Sequence, residues 1–287
     1  MIKLMDAKKT TFEPLEGKEL KKYGCKISVR DMLPFLSEKE MADKIFVYDS
    51  LESTNSTAKE MAISGADHGT IIIADYQTAG RGRYGRKFFS PANHGIYMSI
   101  ILRPVRQCWP DDPSLMTCYA AVAVCKAIEA TTGKVPKIKW VNDILLNQRK
   151  ICGILTEAST DFKTGDVNWM VVGIGINFST PAEDFAEDIK NTAGSIFSKE
   201  APTITRNQLI AQIANQILFR GDGHSDESIL AEYRKRLMLI GKRVTVIEFN
   251  KTYEATVIDV DDTGRLVVEN DSGKTLALSA GEINLGK

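Results

Sequence analysis

Histidine is scarce in this sequence. The 287 residues include only His68, His94 and His224, at no metal-ligand spacing. A zinc site and a Ser-His-Asp triad are therefore not expected. Cysteine is odd in number, with Cys25, Cys108, Cys118, Cys125 and Cys152 forming no Cys-x-x-Cys pair. That usage suits free buried thiols in a reducing compartment. Excess charge of either sign is also lacking, since 37 basic residues balance 37 acidic ones. Such a balance argues against bulk electrostatic binding to nucleic acid or membrane. No apolar run reaches 18 residues and no secretory hydrophobic region opens the chain, so the expectation is a cytoplasmic enzyme with no membrane contact.

A hydrophobic content of 43% supports a sizeable core, and the length suits one large domain plus a small one. Against that neutral background the positive charge is local. Gln77-Thr78-Ala79-Gly80-Arg81-Gly82-Arg83-Tyr84-Gly85-Arg86-Lys87-Phe88-Phe89-Ser90-Pro91 joins two apolar strand-like runs, Gly69–Ala74 and Gly95–Leu102. Gly80, Gly82 and Gly85 permit positive φ and close approach of backbone to a ligand. Arg81, Arg83, Arg86 and Lys87 suit phosphate or carboxylate. The composition implies a loop that repels itself when empty and orders around a small anion; solvated Arg-Gly loops share it.

Along the chain, residues 1–43 read as an extension packed on the main domain, with a short helix near Arg30–Leu36. The segment is too short for a three-helix DNA-binding unit. Lys44–Tyr48 reads as a strand, followed by the turn Asp49-Ser50-Leu51-Glu52-Ser53-Thr54-Asn55. In that turn Thr54 or Asn55 can cap a helix over 56–64, or offer hydroxyl and amide groups to a polar head group. Pro113 starts a long apolar helix in which Cys118 and Cys125 are core residues. Lys139-Trp140-Val141-Asn142-Asp143 opens one strand of a hairpin that turns at Asn147-Gln148-Arg149 and can bring Lys150 to Asp143. Trp169–Phe178 is a strand whose Gly173 and Gly175 indicate close approach of a ligand or of backbone, with Asn177 at its end. Thr205-Arg206-Asn207-Gln208 fits a capping box ahead of a Leu209, Ile213, Ile217 stripe, and a second helix covers 226–239. From Gly241 the pattern has period two, with turns at Asp262-Thr263-Gly264 and Asp271-Ser272-Gly273, which predicts a small antiparallel barrel docked on the main domain.

Taken together, these pieces resemble the biotin–protein ligases in their short form, without a DNA-binding domain. The resemblance rests on Gly80-Arg81-Gly82-Arg83-Tyr84-Gly85-Arg86, Ser53-Thr54-Asn55, Lys139-Trp140-Val141-Asn142-Asp143, Lys150 and Gly173-Ile174-Gly175-Ile176-Asn177. It implies an α+β fold, with a mixed, class II synthetase-like sheet packed with helices and a C-terminal SH3-like β-barrel. The implied boundaries are an extension at 1–43, a catalytic domain at 44–239 and the barrel at 240–287. It also implies activation of biotin by ATP with Mg2+, then transfer from biotinyl-5′-AMP to a lysine of a biotin carboxyl carrier protein. The implied catalytic residues are Lys150, Arg83 and Asp143, with Asp143 also a candidate Mg2+ ligand. The implied biotin site is Ser53, Thr54, Asn55, Gln77, Gly80, Arg81, Gly82, Lys150, Gly153, Gly173 and Gly175. The implied ATP site is Arg83, Arg86, Phe88, Asn142, Lys150 and Asn177. Val141 and Phe88 stand where the family usually has proline and tryptophan, which puts adenine stacking at Phe88 in question. DNA is not an expected partner, and a monomer and a homodimer are both compatible. The rival readings are a lipoate or octanoate ligase of the same superfamily and a DNA-binding biotin repressor.

Overall fold

The computed structural model describes residues 26–104, 110, 112–219, 225–248 and 251–285. Cys25, Cys108, His224 and the first 25 residues of the extension lie outside them. Strands β1 (Ile45–Leu51), β2 (Thr70–Gln77), β3 (Gly95–Leu102), β4 (Lys137–Lys139), β5 (Asp143–Leu146), β6 (Arg149–Thr160) and β7 (Val167–Asn177) form one mixed sheet. Its order is β1-β2-β3-β7-β6-β5-β4, parallel at β1–β2 and antiparallel elsewhere. Five α-helices accompany it: α1 (Val29–Met32), α2 (Thr54–Ile63), α3 (Met116–Thr132), α4 (Arg206–Leu218) and α5 (Asp226–Arg236).

The two faces of the sheet are covered unequally. On one, Ile71, Ile73, Met98, Ile100, Val172, Ile174 and Cys152 meet α3 and α4 in a single large apolar cluster. Each such aliphatic side chain stabilises the fold by roughly 1.5–3 kcal/mol on burial. On the other face α2 covers Ile72, Ile101 and Val171 through Ala58 and Ala62, with Tyr48, Leu51 and Trp169 packed beside them. Beyond α2 that face opens into a cavity. By length and composition the segment Pro113–Thr132 could cross a membrane, yet here it is the core helix, with Cys118, Val122, Cys125 and Ile128 buried. Asp112 caps its opening turn, and Gly133, at φ 70°, ends it. Cys118, Cys125 and Cys152 are free and buried, and burial pushes the Cys118 and Cys125 thiols up to about 12.

Two asparagines on α4 hold the segment from residue 26 onward. Asn207 accepts from Ser28 N and donates to Lys26 O, while Asn215 accepts from Ser37 N and donates to Phe35 O. Thr205 caps α4 by accepting from Gln208 N.

The second sheet holds β8 (Arg243–Glu248), β9 (Lys251–Val260), β10 (Leu266–Asn270), β11 (Thr275–Leu278) and β12 (Glu282–Leu285), antiparallel in the order β11-β10-β9-β8-β12. Val244, Val246, Val257, Leu266 and Val268 point inward and join the main apolar cluster. Its two tight turns are built alike. Asp261 Oδ1 accepts from Thr263 N and Arg265 N, and Asn270 Oδ1 accepts from Ser272 N and Lys274 N. The organising residue thus precedes each Asp-x-Gly or Asp-Ser-Gly triplet read from the sequence. Docking onto the main sheet runs through Trp140, whose Nε1 donates to Gly264 O, and Arg234, whose Nε donates to Val260 O.

Candidate functional site

Strand register puts Tyr48, Ala74, Tyr97, Gly175, Gly153, Asp143 and Lys139 on one rung of the main sheet. The neighbouring rung on the same face runs Ile72, Ser99, Gly173, Leu155. Glycines at three of these positions leave a trough floored by backbone. Over it opens a cavity of about 700 Å³. The Ser53–Asn55 turn, the 81–88 loop, Lys139–Asp143, the head of β6 and the barrel residues Gly281–Asn284 wall it.

At one end, Lys150 Nζ lies 2.7 Å from Asp143 Oδ1. The hairpin closes on Asn147 and Gln148, both at positive φ (50° and 63°), a two-residue turn that matches strand twist. In register Asp143 faces Gly153, not Lys150, so the lysine reaches it by lying back along β6. Gly153 makes the room, because a Cβ there would sit 3.3 Å from Lys150 Cε. Lys139 is held below the usual lysine range by burial, against the opposing pull of Asp143.

The stretch Lys139–Asp143 does not open a strand as the sequence pattern suggested. Lys139 pairs directly with Asp143 across β4 and β5, and residues 140–142 form a tight turn whose Trp140–Val141 peptide is cis. The Asn142 amide and the Val141 carbonyl have partners, as burial requires. Asn142 Nδ2 donates to Ile154 O, Asn142 Oδ1 accepts from Arg83, and Val141 O accepts from Tyr233.

The charged loop is a narrow flap. Phe88 N donates to Gly80 O, Gly82 N donates to Arg86 O, and Arg81 bridges Lys87. Its self-repulsion is offset locally. Arg86 pairs with Glu282 at 2.5 Å, which raises its pKa. Arg83 lies over the Tyr84 ring, and Tyr84 Oη accepts from Gly281 N. Among the three flap glycines only Gly85 takes positive φ (72°), beside Tyr84 at 56°. Gly80 is needed for space, since a Cβ there would fall 2.5 Å from Phe88 O.

What approaches the strand glycines differs from the sequence reading of ligand or backbone. The Phe88 ring covers Gly175, and the Asn55 amide covers Gly173. Phe88 stands edge-on to Tyr97, with ring centroids 6.3 Å apart. Strand β1 runs on to Leu51, and Thr54 and Asn55 lie inside α2 with Ser53 at its cap position. None of the three caps it through a side chain. Thr54 instead engages Gln77 and Ser99, while Asn55 engages Ser99, Leu155 O and Glu157.

The cavity wall thus gathers Ser53, Thr54, Asn55, Gln77, Arg81, Gly82, Arg83, Arg86, Phe88, Asn142, Asp143, Lys150, Gly153, Gly173 and Gly175. It leaves out Gly80 and Asn177. The latter is buried, and its Nδ2 donates to Gly194 O at 3.0 Å and Lys150 O at 3.4 Å. There it holds the 188–194 segment against β6 rather than facing the cavity. The sequence reading missed Ser99 and Glu157. A lone serine in the otherwise apolar run Gly95–Leu102 was the available signal, because a buried hydroxyl demands a partner. Among the described residues no group of three or more His, Cys, Asp or Glu side chains could cage a metal ion.

The flap's position predicts a protection experiment. Free protein should be cut by protease within residues 80–90, and ligand filling the cavity should suppress that cutting. Equal cutting in both states would deny that ligand orders the flap.

Residues 47–177 match the family described as biotin/lipoate A/B protein ligase, and residues 239–286 match the biotin protein ligase C-terminal domain. The bifunctional ligase/repressor BirA of Bacillus spizizenii is 34% identical over 278 residues, covering 94% of this chain and 83% of that protein. The biotin–[acetyl-CoA-carboxylase] ligase of Mycobacterium tuberculosis is 30% identical over 275 residues, covering 88% and 97%. In fold, the chain is similar to a biotin protein ligase from Aquifex aeolicus solved with biotin and ATP. That match has a TM-score of 0.71 and 23% identity, and it covers 85% of this chain and 99% of the other.

Proposed function

The chain belongs to the biotin/lipoate A/B protein ligase family and is a biotin–protein ligase, and we propose that the cavity over the glycine trough is where it joins biotin to ATP. The products of that step are biotinyl-5′-AMP and pyrophosphate; biotin then passes to a lysine of a biotin carboxyl carrier protein and AMP leaves. The observation that carries this placement is the Lys150–Asp143 pair, set between a polar turn at one end of the cavity and an arginine flap above it.

The first half-reaction brings two anions together, a carboxylate and the α-phosphate. Their repulsion is the barrier that fixed positive charge must remove. Lys150 can shift its ammonium from Asp143 to lie between the two oxygens. Arg83 is oriented by Asn142 and Arg86 by Glu282, so both guanidinium groups reach the phosphates without prior ordering of their side chains. Leu155 and the backbone of the glycine trough take the valeryl chain, and the Ser53–Asn55 turn with Gln77 and Arg81 takes the ureido ring. Gly80 and Asn177 act one layer back, shaping the flap base and the 188–194 wall. Phe88, seated on Gly175, separates the head-group end from the nucleotide end. Once the anhydride forms, the flap excludes water, which would hydrolyse it. Asp143, released from Lys150, accepts the proton of the incoming lysine.

Mg2+ fits at Asp143. That ion takes one or two carboxylates and fills its remaining positions with phosphate and water, and Asp143 is a wall carboxylate beside the arginines assigned to phosphate. When bound, it would neutralise phosphate charge there.

Exchange of pyrophosphate into ATP, measured with biotin, lipoate and octanoate in turn, tests the reading. Exchange is expected with biotin alone. Equal or faster exchange with lipoate or octanoate would move the chain to the other branch of its family.

A further inference from the structure

Beneath the head-group turn runs a buried chain of hydrogen bonds whose direction can be deduced. Asn55 Nδ2 lies 3.0 Å from Glu157 Oε2 and 3.2 Å from Leu155 O. Both partners only accept, so the amide must present its oxygen to Ser99. The Ser99 Oγ–Asn55 Oδ1 contact is 2.6 Å and needs one hydrogen, which Ser99 alone can supply. With that hydrogen committed, the 2.8 Å contact between Ser99 Oγ and Thr54 Oγ1 can be bridged only by the threonine hydroxyl hydrogen. Thr54 N already supplies Gln77 Oε1, at 2.9 Å, and Gln77 Nε2 supplies Ser90 Oγ. Gln77 is therefore fixed too and offers no donor to Thr54; its Oε1 is a second acceptor for the Thr54 hydroxyl, at 3.2 Å against 2.8 Å to Ser99 Oγ. Thr54 lines the cavity, and its hydroxyl oxygen has spent its hydrogen inward. Towards a ligand it is an acceptor only.

We propose that Glu157 is a specificity-determining positioning residue: through Asn55 and Ser99 it locks Thr54 as a hydrogen-bond acceptor, so that the head-group site selects a ring N–H and rejects acids lacking one. Glu157 touches no ligand. Its carboxylate is anchored by Lys59 Nζ at 2.7 Å, with Arg81 at 3.9 Å. Burial raises its pKa, but the Lys59 and Asn55 hydrogen bonds more than offset this and the net shift is downward. The group is thus an obligate acceptor at neutral pH. A cyclic urea meets the site with its N–H. A dithiolane or a plain alkyl chain leaves the Thr54 oxygen dry and unpaired, which is costly.

The inference rests on the biotin reading above, and its test separates the two. The measurement is kcat/KM for pyrophosphate exchange with biotin and with a cyclic carbamate analogue in which one ureido N–H is a ring oxygen. The wild type should prefer biotin by about a hundredfold or more, because an acceptor would face an acceptor in the analogue. In Glu157→Gln the Lys59 ammonium claims the new amide oxygen, so the new NH2 faces Asn55. Asn55 then flips, giving up Leu155 O, Ser99 donates to Thr54, and the Thr54 hydrogen is released to the ligand, with Gln77 Oε1 as its competing acceptor. The preference should shrink by about tenfold or more. Adding Lys59→Met to Glu157→Gln frees the amide to turn its oxygen back to Asn55 and should restore the preference. Ser99→Ala breaks the chain below Asn55 and leaves the Thr54 hydrogen only the longer contact to Gln77 Oε1, so the preference should shrink and Lys59→Met should not restore it. A folded Glu157→Gln with the wild-type preference, or a loss that Lys59→Met fails to restore, overturns the relay. Should Glu157→Gln not fold, an unchanged preference in Ser99→Ala does the same. Wild-type protein with no biotin-dependent exchange would instead overturn the biotin reading itself.

Discussion

Lys150→Ala is expected to abolish biotin-dependent pyrophosphate release while leaving the fold intact. A single donor aimed at developing charge in a dry site is worth on the order of a hundred- to a thousandfold. Lys150 is assigned two anions at once, so the loss should lie at or beyond the upper end. The fold survives because the pair it breaks is partly solvated: the lysine side chain is 38% exposed and the aspartate 24%. Such pairs contribute about 0–1 kcal/mol. Asp143 also keeps the Lys139 charge nearby. Single-turnover formation of biotinyl-AMP, read beside a thermal melt, checks both halves. A well-folded variant that still releases pyrophosphate at near-normal rate would take Lys150 out of the reaction. A variant that fails to fold would show that the ion pair holds the hairpin together.

The reach of the sequence follows from the range of the interactions involved. The pairing of Lys150 with Asp143 was legible because a two-residue polar turn between apolar runs fixes a hairpin, and hairpin geometry is local. The barrel was legible from period-two patterning for the same reason. The Lys139–Asp143 turn was not, because its Val141 carbonyl is held by Tyr233 and its Trp140 indole by Gly264 O, both about a hundred residues downstream. Asn177 reads as a ligand residue in a linear motif. Only the fold shows that Lys150 O and Gly194 O occupy its amide nitrogen. Gly173 and Gly175 were read correctly as places of close approach, but sequence cannot say that the approaching groups are Asn55 and Phe88. Ser99 and Glu157 became meaningful only when β3 and β6 were set on either side of β7.

Gly173→Ala and Gly153→Ala should separate the two ends of the cavity. At Gly173 a Cβ would lie 1.9 Å from Asn55 Oδ1 and 2.6 Å from its Cγ. Asn55 cannot swing aside, being fixed in the first turn of α2 and held by Glu157, Leu155 O and Ser99. Relief therefore means breaking those bonds or shifting the helix. Overpacking costs about 1–3 kcal/mol, and stranding a buried amide adds about 1–3 kcal/mol. At about 2–4 °C per kcal/mol for a chain of this size, the melting temperature should fall by roughly 5–15 °C. Biotin affinity should drop by about tenfold or more, because Thr54 loses its fixed hydrogen. At Gly153 the atoms a Cβ would meet are Lys150 Cε and the Phe88 ring, each at 3.3 Å. Both are free ends of side chains and can yield, so stability should change by less than about 1 kcal/mol. The lysine, however, loses its path along β6 to Asp143. Adenylate formation should slow by about tenfold or more while biotin binding stays near normal. Calorimetric titration with biotin, a melt and single-turnover kinetics on the two variants give the comparison. If the two variants prove alike in all three measurements, the trough does not have the division of labour described here.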